Sequence, residues 1–164
     1  MTYYEHRFDR VEDYLHHRSP YLLVDRIVSI SKDEVQTEKR IGGDEFYLQG
    51  HFPGAAVFPG AMMQELSTQS AGVLIAANYN PMQHYDTHDP HFNKFALGVL
   101  VRVKGARFRG FAKPGETLQT QVKLVDHTAN LFDFAAKILV DGKTIMKNSF
   151  QLATVESELL QGRA

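Results

Sequence analysis

The chain contains no cysteine. That absence excludes disulfide frameworks, Cys-based zinc sites, iron–sulfur ligation and thiol nucleophiles together, and it leaves the redox compartment open. Long hydrophobic runs are also missing: no uninterrupted apolar stretch approaches the ~18 residues of a spanning helix. The first twenty residues, MTYYEHRFDRVEDYLHHRSP, carry charge throughout, unlike a secretory leader. These features read as a soluble cytoplasmic protein. No repeat, low-complexity tract or linker interrupts the chain. Its 164 residues, 43% hydrophobic and 23% charged, suit one domain with one core.

The formal net charge of -1 hides an uneven distribution. Between Pro90 and Gly115 stand Lys94, Arg102, Lys104, Arg107, Arg109 and Lys113, with no Asp or Glu. The window therefore carries +6 and the remainder -7. Such a strip fits an anionic partner, and equally a solvated strand face.

Asp9 followed by Glu12, with Val11, Tyr14 and Leu15 apolar, predicts a capping box and a short helix over 9–17, stopped by Ser19 and Pro20. The core is expected over 18–155 and a dispensable polar tail over 156–164. Tyr21 to Ile30 and Glu34 to Ile41 read as strands around the Ser31-Lys32-Asp33 turn. Residues 42–60 hold five glycines and two prolines, so they form a shaped loop. Ala61 to Asn78 is the one long helical stretch, about 27 Å at the usual rise. Its apolar residues spread round most of the circumference, so it should be enclosed. The remainder reads as strands at Leu97–Val103, Arg107–Phe111, Thr117–Asp126, Leu131–Val140 and Lys143–Val155. Asp141-Gly142 is the strongest hairpin signal. Six or seven strands and one apolar helix imply an α+β fold, an antiparallel sheet wrapped around one long central helix.

Glu65 lies on the second turn of that helix, with Gln69 and Gly72 on the same face. An enclosed carboxyl keeps its proton and can serve as a general acid; a carboxylate near a helix start is also favoured by the helix dipole. His51 stands fourteen residues earlier in the Gly/Pro-rich loop. Alone it reads as a solvated or packing residue; paired with a buried carboxyl it becomes a base. Pro59-Gly60 opens the helix and points free N–H groups toward the loop, a place for a developing oxyanion.

The stretch GHFPGAAVFPGAMMQELSTQSAGVL, Gly50 to Leu74, resembles the active-site region of the 3-hydroxyacyl-[acyl-carrier-protein] dehydratases of fatty-acid synthesis, which have the hot-dog fold. HRSPYLLVDR, from His17, and RFRGFAKPGE, from Arg107, match the same family in order, and the resemblance spans about residues 14 to 155. It implies His51 as the base, Glu65 as the acid, Gly60 as the N–H donor to the thioester oxygen and Val57 as the carbonyl that orients the histidine. It also implies an acyl tunnel, for which Phe52, Phe58, Gln69 and Gly72 are candidates, and no metal or nucleotide cofactor. The expected partners are an acyl carrier protein or coenzyme A thioester, and a second copy of the chain. Homodimers of this family, and possible higher oligomers, combine His and acid from two chains.

Ala56, Phe58 and a longer segment from Asn80 to Phe95 depart from the family pattern and bear on acyl length and the tunnel entrance. Arg107 and Arg109, one residue apart on a strand, could hold the phosphate of a carrier's phosphopantetheine arm. Neither a nucleic-acid nor a membrane motif accompanies the basic strip. An acyl-thioester hydrolase and a non-catalytic acyl-binding subunit are the competing readings. His84, Asp86, His88, Asp89 and His91 have ligand-like density, but Pro81 and Pro90 oppose a helix there, so a mobile polar loop is expected and not a metal site. His6, His16, His17 and His127 are read as surface or packing residues.

Overall fold

The computed structural model describes residues 1–89 and 93–161. Six strands form one antiparallel sheet: β1 (Arg26–Ile30), β2 (Glu34–Arg40), β3 (Phe95–Phe108), β4 (Thr117–Thr128), β5 (Leu131–Val140) and β6 (Lys143–Glu156). Their order is β1-β2-β4-β5-β6-β3, which places β1 and β3 at the two edges. Two helices complete the described fold, α1 (Val11–Tyr14) and α2 (Gly60–Asn78), with a 3-10 turn at Ser157–Leu159. The sheet wraps α2, and the expected hot-dog arrangement of sheet and helix is present. No helix among the described residues is long and apolar enough to cross a membrane.

Alternation along the strands explains the layering. In β5, Phe132, Phe134, Ala136, Ile138 and Val140 are buried toward α2, and the residues between them face outward. Helix α2 is buried without a break from Leu66 to Ala77, so it has no solvent stripe. Its buried hydroxyls are satisfied locally: Ser67 donates to the Met63 carbonyl at 3.1 Å and Ser70 to the Leu66 carbonyl at 2.7 Å. Thr37 of β2 meets Ser70 at 2.8 Å, and the Asn148 amide of β6 reaches Gln64 at 2.8 Å. The helix crosses β3 where both elements lack a side chain. Gly98 has φ +77°, and a Cβ there would stand 3.2 Å from the Gly72 Cα. The β5–β6 hairpin turns on Asp141 (φ 48°) and Gly142 (φ 76°), the paired positive φ of a type I′ turn.

Four expectations about elements are corrected. Helix α1 is a single turn: Arg10 is its N-cap, no side chain caps it, and the Asp9 capping box does not form. The apolar run Tyr21–Val24 is not strand, because the Leu23 N–H bonds the Gln69 side chain instead of a neighbouring strand. The two separate strands expected over 97–111 are one strand ending at Phe108, and register shifts beside Gly98 and Gly105 carry the ladder through the apparent break. Residues 81–89, read as part of a mobile polar loop, are polar but tied down. Tyr85 donates to the Tyr14 carbonyl at 2.7 Å, Thr87 bonds the Glu12 carbonyl, Arg18 donates to the Thr87 carbonyl at 3.0 Å, and His88 meets Asp13 at 2.9 Å.

Candidate active site

The glycine-rich loop holds His51 by its backbone and by one ring nitrogen. The Val57 N–H donates to the His51 carbonyl at 3.0 Å, and His51 Nδ1 lies 3.0 Å from the Val57 carbonyl. A carbonyl can only accept, so Nδ1 carries a proton, and in the neutral ring Nε2 presents the lone pair. The ring is half-buried and stacks on Phe52, with centroids 4.4 Å apart, and the His51–Phe52 peptide is cis. Phe52 itself is 56% exposed.

Glu65 projects from the second turn of α2 into a different local environment. Burial raises its pKa above the ordinary carboxylate value, partly opposed by a hydrogen bond from Gln69. Gln69 is fully buried and uses all of its amide: Oε1 accepts from Leu23 N–H at 2.8 Å, while Nε2 donates to the Tyr21 carbonyl and to Glu65 Oε1, both at 2.9 Å. The carboxyl is thus held by a rigid residue one turn along its own helix. Burial thus shifts the Glu65 carboxyl toward its protonated form, the form a general acid uses.

Pro59 is the N-cap of α2 and Gly60 its first residue. The Met62 and Met63 N–H groups return to the Pro59 carbonyl at 3.0 Å each, while Gly60 and Ala61 are too early in the helix to have an intrahelical acceptor. A Cβ on Gly60 would stand 2.9 Å from Phe108 Cε1, so the helix start touches the end of edge strand β3. Phe58 is buried in the core against Tyr47, ring centroids 5.1 Å apart. Gly72 is packed between Leu15 and Gly98, where its missing side chain serves helix–strand contact. Arg107 and Arg109 are exposed; Arg107 is directly opposite Lys147 in the ladder, and Arg109 lies beyond the strand end with its N–H on the Ile145 carbonyl. Within one chain, no hydrogen bond or ion pair joins His51 to Glu65 among the described residues.

In the His-rich segment, Asp86 bonds the His88 N–H at 2.8 Å and His88 faces Asp13. No group of three or more His, Asp or Glu is placed to hold a metal among the described residues; Pro90 and His91 lie outside them.

A sequence model of the FabA-like domain matches residues 15–149. The chain belongs to the FabA-like family. Relatives of this family member include the 3-hydroxyacyl-[acyl-carrier-protein] dehydratase FabZ of Solibacter usitatus, 32% identical over 144 residues, covering 88% of this chain and 82% of that one. The FabZ of Coxiella burnetii strain RSA 331 is 34% identical over 139 residues, covering 84% and 91%. Among solved structures, the dehydratase heterocomplex ApeI:P from Xenorhabdus doucetiae matches with TM-score 0.73 at 21% identity, covering 94% of this chain and 97% of that one. Mouse thioesterase superfamily member 2 shares the fold at TM-score 0.57 and 13% identity, covering 78% and 80%.

One residue read as surface or packing lies beside the candidate acid of this FabA-like chain. His17 is half-buried, with Nε2 3.8 Å from Glu65 Oε1. Its signal in the sequence was its place at the head of HRSPYLLVDR. A linear reading could not show that this segment lies across the acid's turn of α2.

Proposed function

We propose that the protein removes water from (3R)-hydroxyacyl thioesters carried on an acyl carrier protein, giving trans-2-enoyl thioesters for fatty-acid or related lipid synthesis. The observation that carries this reading is the His51–Val57 bond, which makes Nε2 the free lone pair of the neutral ring, in a chain where burial shifts the Glu65 carboxyl toward its protonated form. Nε2 of His51 takes the proton from the carbon next to the thioester. The electron pair forms the new double bond as the hydroxyl departs, and Glu65 gives that hydroxyl a proton so that it leaves as water. Negative charge developing on the thioester oxygen is met by the Gly60 N–H and the positive end of α2. His51 ends protonated and Glu65 ionised, and solvent exchange resets both.

A second copy of the chain supplies the missing proximity between base and acid. The support is the β3 edge: fourteen residues with an unpaired outer side and exposed Leu100, Val101, Val103 and Phe108. Such an edge invites pairing with a like strand. Because Phe108 touches Gly60, a partner seated on β3 lies beside the helix start. Phe52, exposed beside His51, then lines the entry of the acyl chain, while Phe58 and Gln69 shape the walls behind it. Arg107 and Arg109 form the carrier contact, and Lys147 and Lys137 extend Arg107 into a cationic row across three strands.

The deciding assay supplies a (3R)-hydroxyacyl thioester and follows conjugated enoyl absorbance against free-thiol release. Enoyl formation without thiol release is expected, and His51→Ala should lower the rate roughly 100- to 10,000-fold. Thiol release in place of enoyl product would assign a hydrolase, and neither signal would assign a non-catalytic acyl-binding role.

A further inference from the structure

Glu65 has two oxygens, and the protein treats them unequally. Oε1 receives the Gln69 amide at 2.9 Å and faces His17 Nε2 at 3.8 Å, a distance of charge–dipole contact and too long for a hydrogen bond. No hydrogen bond to Oε2 exists among the described residues. The imidazole is fixed from several sides. Its ring stacks on Tyr21 with centroids 6.0 Å apart and planes 16° from parallel. The turn beneath is closed by Tyr21 N–H and Leu22 N–H on the Arg18 carbonyl, at 2.9 and 3.0 Å. The Arg18 guanidinium is pinned to the Leu15, His17 and Thr87 carbonyls, so the segment after Asn80 braces this turn.

His17 Nδ1 is buried without a hydrogen-bond partner. Among the described residues the acceptor facing the ring is Glu65 Oε1, on the Nε2 side, so the neutral ring keeps its proton on Nε2. Burial and the neighbouring Arg18 charge both lower the His17 pKa, which maintains that neutral form. The other groups around the pair are Tyr21, whose hydroxyl pKa is raised by burial and by the Glu65 charge, and His16, lowered by burial and by the Arg18 and His17 charges.

We propose that His17 is a positioning residue for the acid: with Gln69 it reserves Oε1 for donors, so that the transferable proton is carried on Oε2. This rests on Glu65 acting as the acid of the dehydration. A donor facing Oε1 at 3.8 Å also favours the ionised carboxylate, so removing either partner is expected to shift the titration of the other.

The test measures that coupling without relying on turnover. Side-chain carboxyl ¹³C and imidazole ¹⁵N resonances are titrated in the native protein, His17→Phe, which keeps a ring on Tyr21, and Glu65→Gln, which also identifies the Glu65 signal. The expected results are a native His17 protonated on Nε2, a higher Glu65 midpoint in His17→Phe and a lower His17 midpoint in Glu65→Gln. In the dehydratase assay, His17→Phe should lose about tenfold in kcat with KM unchanged and show its high-pH limb moved upward, and His17→Gln should recover most of the loss. A Glu65 midpoint that stays put in His17→Phe overturns the proposal, as does a His17 midpoint that stays put in Glu65→Gln. Should His17→Phe fail to fold, the Glu65→Gln arm decides alone. Coupled titrations in a protein that forms no enoyl product would leave the pair standing and defeat the dehydratase reading instead.

Discussion

Replacing Gln69 by Leu would remove three hydrogen bonds while keeping a side chain of similar size. The Leu23 N–H, held at 2.8 Å by Gln69 Oε1, would be left buried without an acceptor, a cost of about 1–3 kcal/mol. Losing the bond to the Tyr21 carbonyl adds about 1 kcal/mol, since that residue is partly open to water. The total of about 2–4 kcal/mol corresponds, for a chain of this length, to a Tm lower by roughly 5–15 °C. The third bond has a different readout. The Gln69 amide lowers the Glu65 pKa against the larger effect of burial, so its removal raises that pKa further. Because the acid works protonated, the high-pH limb of kcat should move upward. Thermal unfolding at fixed protein concentration and a kcat–pH profile measure the two effects. A Tm within about 2 °C of native, or a high-pH limb that moves down, would refute the assignment of Gln69 as the residue that ties Glu65 to the segment before β1.

Glu65→Gln should abolish most activity while altering the pH dependence of stability in a defined direction. The folded-state pKa of Glu65 is raised, so its contribution is fully present below the unfolded carboxylate value and is lost as pH climbs through the folded one. The variant should therefore match or exceed native Tm at pH 8 and lose that advantage as the pH is lowered toward 4; calorimetry across this range checks it. Gly98→Ala places a Cβ 3.2 Å from the Gly72 backbone at a φ of +77°, and a loss of about 2–4 kcal/mol by urea unfolding is expected. Reversing Arg107 and Lys147 to Glu together should raise KM for a carrier-linked substrate, least at high salt, and leave a short coenzyme A thioester unaffected. An equal change on both substrates would dismiss the cationic row as the carrier contact.

Glu65 and His51 stood out in the sequence because each breaks a local rule: the one charged residue of a long enclosed helix, and an imidazole inside a stretch too rich in Gly and Pro for regular structure. The long helix and the β5–β6 hairpin were legible for the complementary reason, a strong periodic or turn signal with nothing to contradict it. Two of the missed elements share one cause. Tyr21–Val24 has the composition of a strand, yet the Gln69 side chain takes its backbone donor, and Lys104-Gly105 has the composition of a break, yet partners on β6 carry the ladder past it.

By itself, then, the order of residues determined the architecture, one enclosed helix and its wrapping sheet, because periodicity and turn chemistry are local and act through the backbone. It also singled out His51 and Glu65 as the pair proposed to move protons. Only the tertiary structure decided how those side chains are held: the tautomer imposed on His51 by the Val57 carbonyl, the complete use of the Gln69 amide, and the arrival of His17 beside Glu65 from forty-eight positions away. Those are contacts between segments distant in sequence. Their distances, burial and protonation states exist only once the chain has closed around α2.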